Sequence, residues 1–386
     1  MLGLTVVELV NPVGEYAGRL LADVGCTVIK IEPPGIGSPS RHRPPLWQGE
    51  VGLRHLFYNA DKKSITLAVN TPTGLNLFYQ LLKDADALLI TPEMEPFVQT
   101  ITEIHPRLVV AVLEGFPAVG TLGAMPAEDL LLFAAGGLMY LSGEPDGEPV
   151  VAPGEQAFVV GGAQAAFAVL AALRVCRQGG PAQVVRVSYQ AALMAQENMV
   201  SEYVHKGRPT ERTGSQHRMA VPGRIYRCRD GFVHFMVVNS QPQSWQRFVA
   251  WMGYPSELMN EAYTDPNYRR AHAEEVDRVV AAQVLDRGRT ELVESAQQHH
   301  IPCAPVNTVA DILRDSHLME RGLVGQAVLP NGTVNSFPAR GIRLPSMAVG
   351  PIHWAPDLGS DNEEILHQGL GIGPEEWEAL LAVGVI

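Results

Sequence analysis

Cysteine is scarce: four residues in 386, at positions 26, 176, 228 and 303, with no C-x-x-C pair. Such spacing builds neither a disulfide framework nor a zinc set, and it fits free thiols in a reducing cytosol. Basic residues are in deficit. Lys and Arg number 29 against 41 Asp and Glu, a formal charge of −12. Nucleic-acid binders need a basic face, so that class is disfavoured, whereas a phosphorylated ligand needs only a few local cations. The opening MLGLTVVELVNPVGEYAG lacks the basic start and long apolar run of a signal peptide. No charge-free run reaches the roughly 18 apolar residues of a membrane span. The nearest, residues 158–175, carries two Gly and a Gln and reads as a core helix buried on all sides. Together these absences predict a cytoplasmic location. NPVGEYAG, after the first strand-like run, is not G-x-G-x-x-G, which argues against a nicotinamide-dependent enzyme. No internal repeat or low-complexity tract is present.

What is present is globular: 46% hydrophobic and 18% charged. The length suggests two domains, or one large domain with an insertion. Over the first hundred residues short β-branched runs (TVVEL, CTVIKI, SITLAV, ALLI, LVVAVL) alternate with stretches of helical periodicity. That alternation predicts a parallel sheet covered on both faces. Thr71 followed by Pro72 predicts a helix start, with the helix running to residue 85. Further helices are expected over 95–104 and in the apolar stretch 130–143. From about residue 208 the texture changes. Two strand-like runs flank Arg229-Asp230-Gly231, a hairpin signal, and helices follow over 244–252, 272–286 and 290–299. The expected architecture is α/β: residues 1–207 start a large domain, 208–322 form a smaller α+β domain, and 323–386 return to the large one.

The order of segments resembles the family III CoA-transferases (CaiB/BaiF, formyl-CoA transferase type). The segments LADVGCTVIKIEPPGIGSPSR, NADKKSITLAVNTPTGLNLFYQLLKDADALL, HPRLVVAVLEGF, AAGGLMYLSGEPDGEP, LAALRVCRQGGPAQVVRVS, HHIPCAPVNTVADILRDSHLMERGLV and APDLGSDNEEIL carry it over nearly the whole chain. The resemblance implies a Rossmann-like large domain built from both chain ends, an inserted small domain and an interlocked dimer. It implies coenzyme A and acyl-CoA as substrates, with no permanently bound cofactor and no metal. It also implies covalent chemistry. An aspartate attacks the thioester to give a mixed anhydride, CoA returns to give an aspartyl thioester, and the second acid reverses the steps.

The family's aspartate stands in a D-x-x-x-G pattern ahead of L-A-A-L. Here the tetrapeptide is Leu170–Leu173 and the glycine is Gly162, so Phe158 falls at the aspartate's position, or Ala157 with a slip of one. The nearest acid is Glu155, three residues earlier and roughly 4.5 Å away along a helix axis. It reads either as a replacement nucleophile or as a solvated acid at a helix start. The racemase branch's histidine would fall near Ala134. For CoA, the resemblance points to Val13 in the loop Asn11–Gly14, to Lys30 and Pro33 with Arg41 downstream, and to Lys62 and Lys63. Lys62 and Lys63 read equally as an ordinary solvated turn. Lys30 is expected to pair with Glu32; Arg41 and Arg54 read either as partners of an acyl carboxylate or as side chains facing water, and water is the expectation. Asp61 replaces the family's usual Asn, and Thr91–Glu95 carries two acids where the family has an Arg. The loop 238–242 lacks the family's glycines, and His299-His300 reads as surface. The expected assembly is a pairing with a paralogous, Asp-bearing chain, as in the benzylsuccinate CoA-transferase type. The alternatives are an active homodimer that uses Glu155 and a non-catalytic acyl-CoA-binding protein.

Overall fold

A computed structural model of the chain describes residues 3–123, 125–237, 243–328, 332–342 and 352–386. It begins with the expected alternation. β1 (Thr5–Leu9), α1 (Glu15–Asp23) and β2 (Thr27–Glu32) lead into a two-strand hairpin, β3 (Leu46–Trp47) and β4 (Val51–Gly52). Then come α2 (Leu53–Tyr58), β5 (Lys63–Thr66), α3 (Pro72–Leu81), β6 (Ala87–Ile90), α4 (Val98–Ile104) and β7 (Val109–Glu114). α5 (Asp129–Ala135), α6 (Gln156–Arg177), β8 (Val184–Ser188), α7 (Tyr189–Met194) and α8 (Met199–Lys206) follow. Six of these strands form one parallel sheet in the order β5-β2-β1-β6-β7-β8. The chain winds outward from β1 in one direction and from β6 in the other. The crevice beyond the carboxyl ends of β1 and β6 is therefore the switch point where such sheets hold ligands.

Both faces of the sheet are covered, as its apolar strands require. On one face Val6, Val28, Ala111 and Leu113 pack with α1, α5 and α6. On the other, Val7, Ile31, Ile65 and Val112 pack with α3, α4 and the closing residues Ile365–Ile386. Thr71 caps α3, its Oγ1 accepting the Gly74 N–H at 3.0 Å. The helix ends at Leu81, with a 3₁₀ turn over Leu82–Asp84. Pro96 holds residues 92–97 in 3₁₀ form, so α4 starts at Val98 instead of residue 95. α5 stops at Ala135, well short of residue 143, because Gly136-Gly137 follows and Gly137 has φ +89°.

The chain divides into two compact units. The larger comprises residues 1–139, 151–207 and 316–386, so both chain ends contribute to it; the smaller comprises 140–150 and 208–315. The smaller unit is α+β. Its antiparallel strands β9 (Gly223–Cys228) and β10 (Gly231–Met236) are joined by the two-residue turn Arg229-Asp230, with Gly231 already paired to Cys228, and β11 (Cys303–Pro305) pairs with β10. Phe235, Phe248, Val280 and Leu292 centre its core. Residues 238–242, the loop expected to lack glycines, lie outside the described residues.

α6 differs from expectation. By length and composition it is apolar enough to cross a membrane, yet 44% of its most apolar window is buried inside the protein. One face packs against α1, α5, α7 and the sheet, while Phe167 on the other is 76% exposed.

Candidate active site

Two loops meet at the switch point. β1 runs into Asn11–Gly14, and β6 into Thr91. The Asn11 N–H donates to Thr91 Oγ1 at 3.3 Å and its side-chain amide to Glu93 Oε1 at 3.1 Å. Asn11 Oδ1 accepts the Val13 N–H at 3.0 Å, a local turn that folds the loop over the strand end.

Arg54, on the short helix α2, reaches this loop. Its Nη2 donates to the Pro12 carbonyl at 2.8 Å and its Nη1 to the Glu155 carboxylate. The guanidinium carbon lies 5.1 Å from the Tyr58 ring centroid and 4.9 Å from that of Phe158. The Arg54 side chain is only 10% exposed, against the water-facing position expected for it, and its Nε has no hydrogen-bond partner among the described residues. Glu155 stands at the start of α6 and also bonds the Tyr58 hydroxyl. Burial raises its carboxyl above the ordinary range, and Arg54 offsets that only in part. Phe158 is 1% exposed, wedged between Arg54 and the Tyr189 ring, whose centroid is 6.5 Å away. Asp129, 28 residues upstream of Ala157, takes up the amides of α6's first turn. Its Oδ1 accepts the Ala157 N–H at 2.8 Å, and the Phe158 N–H also bonds it. Burial pushes the Asp129 carboxyl up, against these bonds and the charges of Arg54 and Arg43.

A second cluster lies under the ends of β1, β2 and β5. Lys62 Nζ donates to Glu8 Oε1 and Oε2 at 2.9 and 2.8 Å, to the Glu15 carbonyl at 2.7 Å and to Asn59 Oδ1 at 2.9 Å. Lys30 meets Glu8 at 3.2 Å and Glu15 at 3.1 Å. Glu32 is claimed by Arg41 through two 2.7 Å bonds, with Ser38 N and Ser64 Oγ adding 2.9 and 2.8 Å bonds. Three carboxylates thus face three cations, all buried. Burial opposes the Lys30 charge, but Glu15, Glu8 and Glu32 together raise its pKa. Burial pushes His55 down to about 3, leaving a neutral imidazole beside Ser40.

The candidates thus separate. Val13, Arg54, Glu155 and Phe158 gather at the switch point. Lys30, Arg41 and Lys62 lie inside the charge cluster, with carboxylate partners already in place. The expected Lys30–Glu32 pair is not formed, because Arg41 holds Glu32 and does not face water. Pro33 is exposed, and Lys63, one-third exposed, pairs with Glu364. Asp61 is bound by Arg340 Nη2 at 2.6 Å and by the His353 N–H at 2.9 Å. Glu95 is bound by Arg186. His299 and His300 are exposed. Among the described residues no group of three or more His, Cys, Asp or Glu could hold a metal. Sequence reasoning gave no role to Asp129 or Glu8, whose partners are fixed by tertiary contacts alone.

The family profile described as CoA-transferase family III matches residues 1–362. The succinate–glutarate CoA-transferase of Agrobacterium fabrum is 28% identical over 384 residues, covering 94% of each chain. The beta subunit of the succinyl-CoA–L-malate CoA-transferase of Chloroflexus aurantiacus is 27% identical over 401 residues, covering 100% of this chain and 97% of that one. The crystal structure of a CAIB/BAIF family protein from Brucella suis superposes with a TM-score of 0.82 at 23% identity, covering 95% of this chain and 98% of the other. The α/β architecture, the switch-point site and the full-length match agree: this chain belongs to CoA-transferase family III.

Proposed function

We propose that this chain is a subunit of a CoA-transferase that moves CoA between carboxylic acids, and that it works beside a paralogous chain bearing the nucleophilic aspartate. The observation that carries this reading is Phe158. The transfer needs a carboxylate able to become both anhydride and thioester. At the position where the resemblance expects one, α6 presents a buried ring under Arg54. Support comes from full-length similarity to proteins named as the beta and alpha subunits of a succinyl-CoA–L-malate CoA-transferase. Exposed apolar side chains add to it. Phe167 and Ala163 are exposed along a groove of about 760 Å³, floored by Val187 of the core and by Val160 packed against it, beside β8, the last strand of the sheet, and an uncovered sheet edge of this kind is open to pairing. In this reading CoA meets the loop around Val13, Pro33 and Lys63, while Lys30, Arg41 and Lys62 brace those loops from beneath.

A second reading has one observation in its favour: Glu155 sits at the switch point, paired with Arg54, so it could be an alternative nucleophile in a homodimer. One experiment separates the two. The chain is purified alone and with whatever chain co-purifies, and CoA exchange between succinyl-CoA and a panel of free acids is measured. The subunit reading expects exchange from the pair only. Equal turnover by the lone chain overturns it, and Glu155→Gln then tests the second reading, which expects a loss of about a hundredfold or more. CoA binding without exchange in either preparation identifies a non-catalytic acyl-CoA-binding protein.

A further inference from the structure

We infer that Arg54 is the carboxylate-recognition residue of this chain, and that Glu155 is an internal stand-in which a free organic acid displaces. The inference rests on the reading that the chain handles carboxylic acids, and it names the group that would select them: a small acid carrying a free carboxylate.

Arg54 is built as a fixed anion receptor. Its guanidinium lies against the Tyr58 and Phe158 rings, at 5.1 and 4.9 Å from their centroids, and is anchored to the Pro12 carbonyl at 2.8 Å. Nine-tenths of the side chain is buried. A buried cation with fixed orientation pays little ordering entropy on binding. Its donors are only partly used. Nη2 serves Pro12 and Nη1 serves Glu155, while Nε is buried with no partner among the described residues. An unpaired buried donor is costly, and the guanidinium fork fits a carboxylate through two parallel bonds; Nε lies on the Nη2 edge that also serves Pro12, and Glu155 meets Nη1 on the other side. Glu155 uses one Nη alone among the described contacts.

Glu155 is also the member of the pair that can leave. Its side chain makes no capping bond to α6. Its backbone carbonyl accepts the Val159 N–H at 3.0 Å, so the helix start stays closed whatever the side chain does. It follows Gly154, at φ +80°, in the loop that enters the helix. The amides of α6's first turn do not compete for the incoming anion, because Asp129 holds them. Exchange of one carboxylate for another leaves the charge beside Arg54 unchanged. The incoming acid loses hydration, the departing Glu155 regains it, and the incoming carboxylate takes over Arg54 Nη1 and the Tyr58 hydroxyl that Glu155 releases.

The test is calorimetric titration of the purified full chain with sodium succinate, with dimethyl succinate as the uncharged control. Glu155→Gln is expected to bind succinate about tenfold or more tighter than the unaltered chain, since the competing charge is gone. Arg54→Met is expected to lose affinity by a similar factor or more, and dimethyl succinate is expected to bind none of the proteins. If Arg54→Met does not fold, as judged by circular dichroism, Arg54→Lys replaces it: charge without the fork, with a severalfold loss expected. Unchanged affinity in Glu155→Gln, or in the folded Arg54 variant, overturns the assignment, as does the absence of succinate binding from both the unaltered chain and Glu155→Gln. The readout needs neither turnover nor a partner chain, so failure of the subunit reading would show in the exchange assay and not here.

Discussion

Glu8 is the residue on which the buried charge cluster turns. It accepts Lys62 through both carboxylate oxygens and Lys30 through one, with no exposure at all. Removing one partner from a buried ion pair costs about 3–5 kcal/mol, because the remaining charge stays desolvated. Glu8→Gln keeps the shape but removes the negative charge between two buried ammonium groups, leaving Lys30 with Glu15 and Lys62 with the Glu15 carbonyl and Asn59, so a loss towards the lower end of that range is expected in urea unfolding. A loss below about 1 kcal/mol would mean that the lysines find other acceptors. The lysines were legible in the sequence only as cations near strand ends. What pairs them is strand register: Glu8 lies opposite Lys30 in the β1–β2 ladder, and Lys30 opposite Ser64 in β2–β5. Periodicity gives the strands but not their alignment, so ligand contact and structural pairing looked alike. Arg54 was obscured for a similar reason, since Pro12 and Glu155 reach it from 42 and 101 residues away.

α6 was legible as an element, but not in its orientation. A helix apolar on every side has no moment to say which face is inward. The two glycines supply what the moment does not. A Cβ at Gly161 would stand 2.2 Å from the Tyr189 ring, and one at Gly162 would stand 3.1 Å from the Ala17 amide nitrogen. These close approaches are to α7 and α1 of the same chain, which leaves Phe167 facing outward. Gly161→Ala tests the packing. Ala is the better helix former by about 1 kcal/mol, but Tyr189 is fully buried and cannot withdraw. Overpacking of this kind costs about 1–3 kcal/mol, so a net loss of stability in thermal unfolding is expected. A gain would mean that α6 and α7 are further apart than described. β8 escaped the sequence reading as a strand although VVRVS is β-branched and alternating; its half-exposed pattern is that of an outer strand.

At the scale of the molecule, the return of the chain to the large unit was legible through the resemblance, while its attachment was not. The closing segment is sewn to β5 by polar side chains. Asp361 Oδ2 accepts the Ser64 N–H at 2.8 Å, Asn362 Oδ1 accepts the Thr66 N–H at 2.8 Å, and Arg41 Nη2 donates to the Pro356 carbonyl at 3.0 Å. Arg41 ties this seam to Glu32, which makes the seam sensitive to acid. Burial works to raise the Glu32 carboxyl, but the Arg41 hydrogen bonds, the Lys30 charge and the Ser38 N–H outweigh it and depress the carboxyl from 4.5 to about 2. Above pH 4.5 the group is ionised whether the chain is folded or not, and its pairing contributes in full. Between 4.5 and 2 the unfolded chain binds a proton that the folded chain refuses, so stability falls as pH falls. Below about 2 the contribution is gone. A depression of this size corresponds to roughly 3 kcal/mol. Glu32→Gln removes the proton uptake and leaves Arg41 without its carboxylate. The variant is therefore expected to be less stable at pH 7 and to lose stability less steeply between pH 4.5 and 2. Urea unfolding measured across that window checks both. An unchanged acid slope would place the acid sensitivity in other carboxylates, Glu15 first among them, since Lys30, His55, Lys62 and Ser40 depress its carboxyl against burial.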